Sequence, residues 1–128
     1  VPLLQDDQRH RARFEAAGLR VPADSVFIGN ALGAVAVYDF TDDNAVLAMA
    51  GERGWLTREV IACVWSYVWD QCELPRVTAL VREDRVNALR INVRLGFKVE
   101  GLLRRFEQGH NVIVLGMLRE ECRSWEAR

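Results

Sequence analysis

Residues 45–81 read AVLAMAGERGWLTREVIACVWSYVWDQCELPRVTALV, and the succession of patterns in this stretch decides the fold. Its first six residues are an unbroken apolar run, short enough for a buried strand. Gly51-Glu52-Arg53-Gly54 ends the run. From about residue 56 to residue 73 the apolar period becomes helical. Val60, Ile61, Val64, Trp65, Val68 and Cys72 fall on one face at ~100° per residue, with Glu59, Ser66, Asp70 and Glu73 opposite. Pro75 stops the helix, and residues 77–81 (VTALV) return to strand chemistry. Strand, helix, strand in this order is a crossover, which requires the two strands to be parallel.

On the N-terminal side, residues 25–30 (SVFIGN) and 34–40 (AVAVYDF) read as strands separated by turn chemistry at residues 30–33. With residues 45–50 they form an antiparallel meander. Residues 3–17 are rich in helix formers and stop at Gly18; their thin apolar pattern (Leu3, Leu4, Phe14, Ala17) predicts a surface helix with His10 on its charged face, in solvent. On the C-terminal side, a helix over residues 84–95 ends at Gly96, and residues 98–106 and 111–118 form a hairpin. Ala88, Ile91 and Leu95 of that helix face the sheet. Val86, Leu89 and Val93 form a second stripe, which calls for a covering terminal segment or a second subunit in a homodimer. The fold class is therefore α/β (α+β): a mixed, mostly antiparallel sheet with a central crossover and flanking helices.

The 128 residues suit a single domain spanning 1–128. Seventeen basic residues, all arginine but Lys98, balance 18 acidic ones, so the chain lacks the broad positive field of a general nucleic-acid binder. No apolar run approaches the ~20 residues of a membrane span, and no signal-peptide pattern opens the sequence. Cys63, Cys72 and Cys122 form no CxxC pair, and the first two fall on opposite helix faces. Neither a disulfide framework nor a metal site is expected, and a cytoplasmic setting is.

Residues 95–104, Leu-Gly-Phe-Lys-Val-Glu-Gly-Leu-Leu-Arg, resemble the LGF..EG..R signature of the GNAT superfamily of N-acetyltransferases. The likeness is strongest to the ribosomal-protein N-acetyltransferase branch, and Met117 to Cys122 closes the chain much as small bacteriophage GNAT-like proteins do. It covers roughly residues 25–122. It implies a domain abbreviated at its N-terminal side, lacking one strand and part of the usual helical region. Chemically it implies transfer of an acetyl group from acetyl-CoA to an amine: a protein N-terminus, a lysine or a small amine. Residues 54–59, Gly-Trp-Leu-Thr-Arg-Glu, take the place of the family's acyl-CoA loop. Unpaired N–H groups and a positive dipole at that helix start suit a pyrophosphate, with Arg53, Thr57 and Arg58 adding contacts. In this family the sheet splays after the strand ending near Ala50, and a strand N–H there stabilises the tetrahedral intermediate.

The chain departs from the family at informative places. The loop pattern R-G-x-G-x-G/A becomes Gly51-Glu52-Arg53-Gly54-Trp55-Leu56, so only Gly54 is kept, while Glu52 and Leu56 replace small residues. Arg85 stands where many relatives place an asparagine against the pantetheine arm, and would instead reach a phosphate. Asn92 replaces the tyrosine that protonates the departing thiolate; an amide can hydrogen-bond but is no general acid. Glu52 and Asp39 are the candidate general bases, Asp39 because it alternates with Val35 and Val37 along one strand, the other reading of Asp39 being a strand-end carboxylate in water. Trp55 either covers CoA or staples the loop to the core. Trp65, Trp69 and Cys122 read as packing residues, Glu100 and Arg104 as structural hydrogen bonders, and His110 as a solvated turn residue. Two functions follow: an N-acetyltransferase, or a non-catalytic module with an altered CoA loop that binds a protein partner.

Overall fold

The computed structural model describes residues 1–123. β1 (Val26–Asn30), β2 (Gly33–Tyr38) and β3 (Val46–Gly51) form the antiparallel meander. β4 (Arg76–Arg82) lies parallel to β3, and the hairpin of β5 (Lys98–Glu107) and β6 (His110–Leu118) completes one sheet in the order β1-β2-β3-β4-β6-β5. α2 (Arg58–Trp65) makes the crossover between β3 and β4, α3 (Val86–Leu95) follows β4, and α1 (Asp7–Ala16) precedes the sheet. Fold class and strand directions agree with the sequence reading.

The predicted central helix divides in two. Thr57 caps α2, its Oγ1 accepting from Val60 N–H at 3.2 Å, and residues Ser66–Gln71 continue as a π-helix. The wider turn lets Val68 and its neighbour Trp69 both enter the core, where Trp69 stacks on Trp65 with ring centroids 5.6 Å apart. α2, Val35, Val37 and Leu47 pack on one face of the sheet; Phe14, Phe27, Ala34, Ala36 and Ala50 pack on the other, beneath α1.

α1 corrects two expectations. It starts at Asp7, capped by Asp6, while Leu3 bridges to Asn30 instead of joining the helix. His10 is buried, not solvated: its Nε2–H donates to Leu4 C=O at 2.9 Å and its ring lies against Phe27. With only His10 and Phe14 buried, the helix is also held by arginines. Arg11 donates to the carbonyls of Val21, Pro22 and Ala23, and Arg13 to that of Ala31.

The signature residues are structural. Gly96 ends α3 at φ +116°, a conformation that favours glycine, and Leu95 and Phe97 on either side are buried. Glu100 sits at a register shift in β5 and folds across Gly116, where any Cβ would collide with its carboxylate. From there it takes a hydrogen bond from Arg76 at 2.9 Å. Among the described residues no helix is long and apolar enough to cross a membrane.

Candidate active site

The parallel pairing of β3 and β4 covers only Val46 opposite Thr78 and Leu47 opposite Ala79. Beyond these residues the strands part. The opening is a narrow cavity of about 40 Å³ whose walls come from both faces of the sheet: Met49 and Val81 with Ala88 and Asn92 of α3 on one side, Ala48 and Leu80 with Leu19 on the other. It is thus a passage through the sheet. Strand parity says which backbone groups meet it. Thr78 N–H donates to Ala45 C=O at 2.9 Å, so the odd-numbered residues of β3 present their N–H and C=O toward β4. Next in line is Met49. The parity of this pairing turns the N–H of Met49, not that of Ala50, toward β4 beyond the paired residues.

A larger groove of about 860 Å³ runs between the start of α2 and α3, floored by residues 51–56 and flanked by Arg53, Arg90 and Arg94. Arg53 and the first α2 residue, Arg58, are both exposed. With Val60 N–H capped by Thr57 and Ile61 N–H bonded to Thr57 C=O, the N–H groups of Arg58 and Glu59 have no partner within the helix. Gly54 adopts φ +82° in the loop. Trp55 is 6% exposed and its ring lies over Gly33 and Gly51, where added Cβ atoms would come within 2.7 Å and 2.3 Å of it. Its carbonyl accepts from Asn30 Nδ2 at 2.9 Å. Of the two roles expected for Trp55, the geometry gives it the staple. Leu56 is half-buried beside it.

Three candidates stand differently from their expected roles. Glu52 is exposed and paired with Arg13 of α1 at 3.2 Å, so its negative charge is compensated at the edge of the groove, away from the passage. Arg85 caps α3 and donates to Ala17 C=O at 2.8 Å; its head belongs to the passage and the end of α1, not to the arginine groove. Asp39 is a correction: β2 ends at Tyr38, and Asp39 lies beyond it, exposed, at φ +51°. Its strand-face placement fails because the chain turns into a left-handed conformation before the alternation reaches it.

Asn92 is 2% exposed and lines the passage. Its Nδ2 donates to Ala88 C=O at 2.8 Å, and its Oδ1 has no hydrogen-bond partner. A buried, unpaired acceptor costs stability unless something supplies a donor. Two further residues stand on the far side of the passage and escaped the sequence reading, Tyr38 and Glu107. Burial, with Asp39 and Glu107 nearby, pushes the Tyr38 phenol above its usual 10.0, so at neutral pH it is a hydroxyl donor. Neither carried a signal, since each depends on how two strand ends curl together. Among the described residues no group of three or more His, Cys, Asp or Glu side chains could hold a metal.

This arrangement matches solved structures. A mutant of spermidine N-acetyltransferase SpeG from Vibrio cholerae superimposes with TM-score 0.61 and 16% identity over 73% of this chain and 63% of that one. An acetyltransferase of the GNAT family from Bacillus anthracis gives 0.61 and 13% over 70% and 60%. The chain has the GNAT acetyltransferase fold. A second SpeG mutant matches with TM-score 0.65 and 14% identity over 84% of this chain and 72% of that one. The chain spans less than two thirds of the length of the first two. No protein-family model and no curated protein matches it. The groove includes Gly54, Trp55 and Leu56 of the stretch that the sequence resemblance implies for an acyl-CoA.

Proposed function

We propose that the protein is an N-acetyltransferase that uses acetyl-CoA and acetylates a primary amine in the cytoplasm. The observation that carries this reading is the passage between β3 and β4, lined by the unpaired Asn92 Oδ1 and set beside the arginine groove at the start of α2. These residues fit an acyl-CoA. Arg53, Arg90 and Arg94, with the free N–H groups at the helix start, hold phosphate oxygens through charge-assisted bonds. The Met49 backbone offers a donor and an acceptor along the parted strand, as an edge strand would to an added one. Asn92 Oδ1 accepts one bond from a ligand donor and so fixes its depth. Bound acetyl-CoA supplies an activated thioester. Asn92 orients and does not donate a proton as an acid. The acceptor is a protein N-terminus, a lysine or a small amine. Likeness of the signature to the ribosomal-protein branch and to small bacteriophage proteins supports the first, and the fold shared with a spermidine N-acetyltransferase supports the last.

A thermal-shift titration with acetyl-CoA, with free CoA and ATP as controls, tests the reading. Both CoA species raise Tm saturably, by the equivalent of about 2.7 kcal/mol at a hundredfold excess over Kd, and ATP does not. A flat response at millimolar acetyl-CoA overturns it in favour of the partner-binding module.

A further inference from the structure

On the α1 side the passage opens into a second cavity of about 400 Å³, and Leu19, Ala48, Leu80 and Glu107 belong to the walls of both. The two adjoin across these residues. Glu107 reaches it although β5 is the edge strand, two places removed from β4. The register of β5 on β6 shifts between Leu103 and Glu107, and Arg105 within that shift takes φ +51°. Such a bulge bends and twists a strand and re-aims its side chains. The bent tip is clamped to the end of β4: Arg105 N–H donates to Asn111 Oδ1 at 2.9 Å, Asn111 Nδ2 to Glu83 Oε2 at 3.3 Å, and Arg82 to Gln108 Oε1 at 2.8 Å. Gln108 and Gly109 then close the hairpin with positive φ at both positions, the requirement of a tight two-residue turn.

The carboxylate so delivered is half-buried, and among the described residues it has neither an ion pair nor a side-chain hydrogen bond. The nearby cation Arg82 is bonded to Asp84 at 2.7 Å and reaches Glu107 only by through-space attraction, with no direct ion pair. Asp39 adds negative potential at Tyr38, and Arg20 is exposed at the cavity wall. Leu19, Ala48, Leu80 and Phe106 give the cavity an apolar wall, completed by Gly18, Tyr38 and the polar Gln108. On the opposite side of the same passage stands the orphan Oδ1 of Asn92.

We infer that this cavity is the acceptor pocket and that Glu107 is its specificity-determining residue, holding the ammonium group of an unbranched alkyl amine whose carbon chain lies on Leu19, Ala48, Leu80 and Phe106. The inference rests on the acetyl-transfer reading for the other end of the passage. The passage, at about 40 Å³, is small beside the adjoining cavity of about 400 Å³, which favours a slender primary amine over a branched or aromatic one. A neutral alcohol of the same length gains the apolar contact and can still donate to the carboxylate, but forfeits the ion pair between ammonium and carboxylate.

The test is calorimetric titration of CoA-saturated protein with 1-hexylamine and 1-hexanol, repeated with Glu107→Gln and Glu107→Asp. The amine binds the wild type at least about tenfold more tightly than the alcohol, Glu107→Gln removes that preference, and Glu107→Asp restores part of it. Tm stays unchanged in both variants, because the Glu107 carboxylate makes no ion pair or side-chain hydrogen bond among the described residues, and the amine-to-alcohol ratio is read at CoA saturation, so a change in CoA affinity does not enter it. Equal binding of amine and alcohol by the wild type, no amine binding, or an unaltered preference in Glu107→Gln overturns the inference while the CoA reading stands. If CoA itself does not bind, the acetyl-transfer reading falls, and the same amine titration on unliganded protein still judges Glu107 by the same three results.

Discussion

Asn92 carries an unsatisfied acceptor in a well-packed part of the molecule, because α3 ends on a face that meets the passage and not the core. Its Nδ2 bond to Ala88 C=O is a local back-bond to a carbonyl already inside the helix, so losing it orphans nothing. Asn92→Leu therefore leaves the unliganded protein equally stable or more stable by about 1 kcal/mol in urea denaturation, while cutting the CoA-induced Tm shift. A destabilised variant with an unchanged CoA shift would show that Oδ1 serves the fold instead. The position was legible in the sequence, five residues before the signature phenylalanine. Its burial and missing partner were not, since both arise from strands that part nearby. Trp55 illustrates the converse: its neighbours Gly33 and Gly51 lie far apart in sequence from each other, and only their pairing makes a seat for the indole.

At the scale of elements, the start of α2 shows how capping and ligand binding divide a set of N–H groups. Thr57 satisfies one, and the others stay available. Thr57→Glu removes the short-range cap and adds negative charge where anions are expected to approach. It should cost about 1 kcal/mol of stability and weaken CoA binding at least about tenfold by calorimetry. Retained affinity would move the phosphate site elsewhere. The helix start itself was readable from the apolar period and the preceding Gly54. The π-helical continuation was not: Trp69, expected as a packing residue, falls just off the apolar arc of a 3.6-residue template, and the widened turn is what seats it at 0% exposure. Likewise the alternation Val35, Val37, Asp39 continues on paper past the point where the strand ends.

Over the whole molecule, polar side chains bind the layers at their margins. Arg85 joins α3 to the end of α1, and Arg13 joins α1 to the loop before α2, so both helices frame the passage. Lys98 ties the start of β5 to Glu121, and Arg82 holds Asp84. The lysine, with the Leu118 N–H, keeps the Glu121 carboxyl below its usual 4.5, and the Arg82 guanidinium keeps Asp84 below 3.8. A carboxylate whose folded pKa is depressed stabilises the protein above its unfolded pKa and loses that contribution as pH falls through the folded value. Urea midpoints of wild type and Lys98→Met should therefore differ at about pH 6 and converge near about pH 2. A gap that persists in acid would mean the lysine acts through packing of its stem. Of the second α3 stripe, Val86 and Val93 are 52% and 51% exposed, while Leu89 packs against the core.

The order of elements, the parallel crossover and the start of α2 are set by the sequence itself, because apolar period and breakers act over a few residues. The helix stop at Gly96 belongs to the same local order, whereas Glu100 is placed by Gly116 and Arg76, far along the chain. The passage, the orphan acceptor and Glu107 are decided only by the tertiary structure. Each depends on where two strands stop pairing and how a bulged hairpin tip closes over them, and these outcomes come from sheet twist and long-range clamps such as Arg82 to Gln108. No local pattern records such contacts, for they join residues whose neighbours in the chain have no part in them.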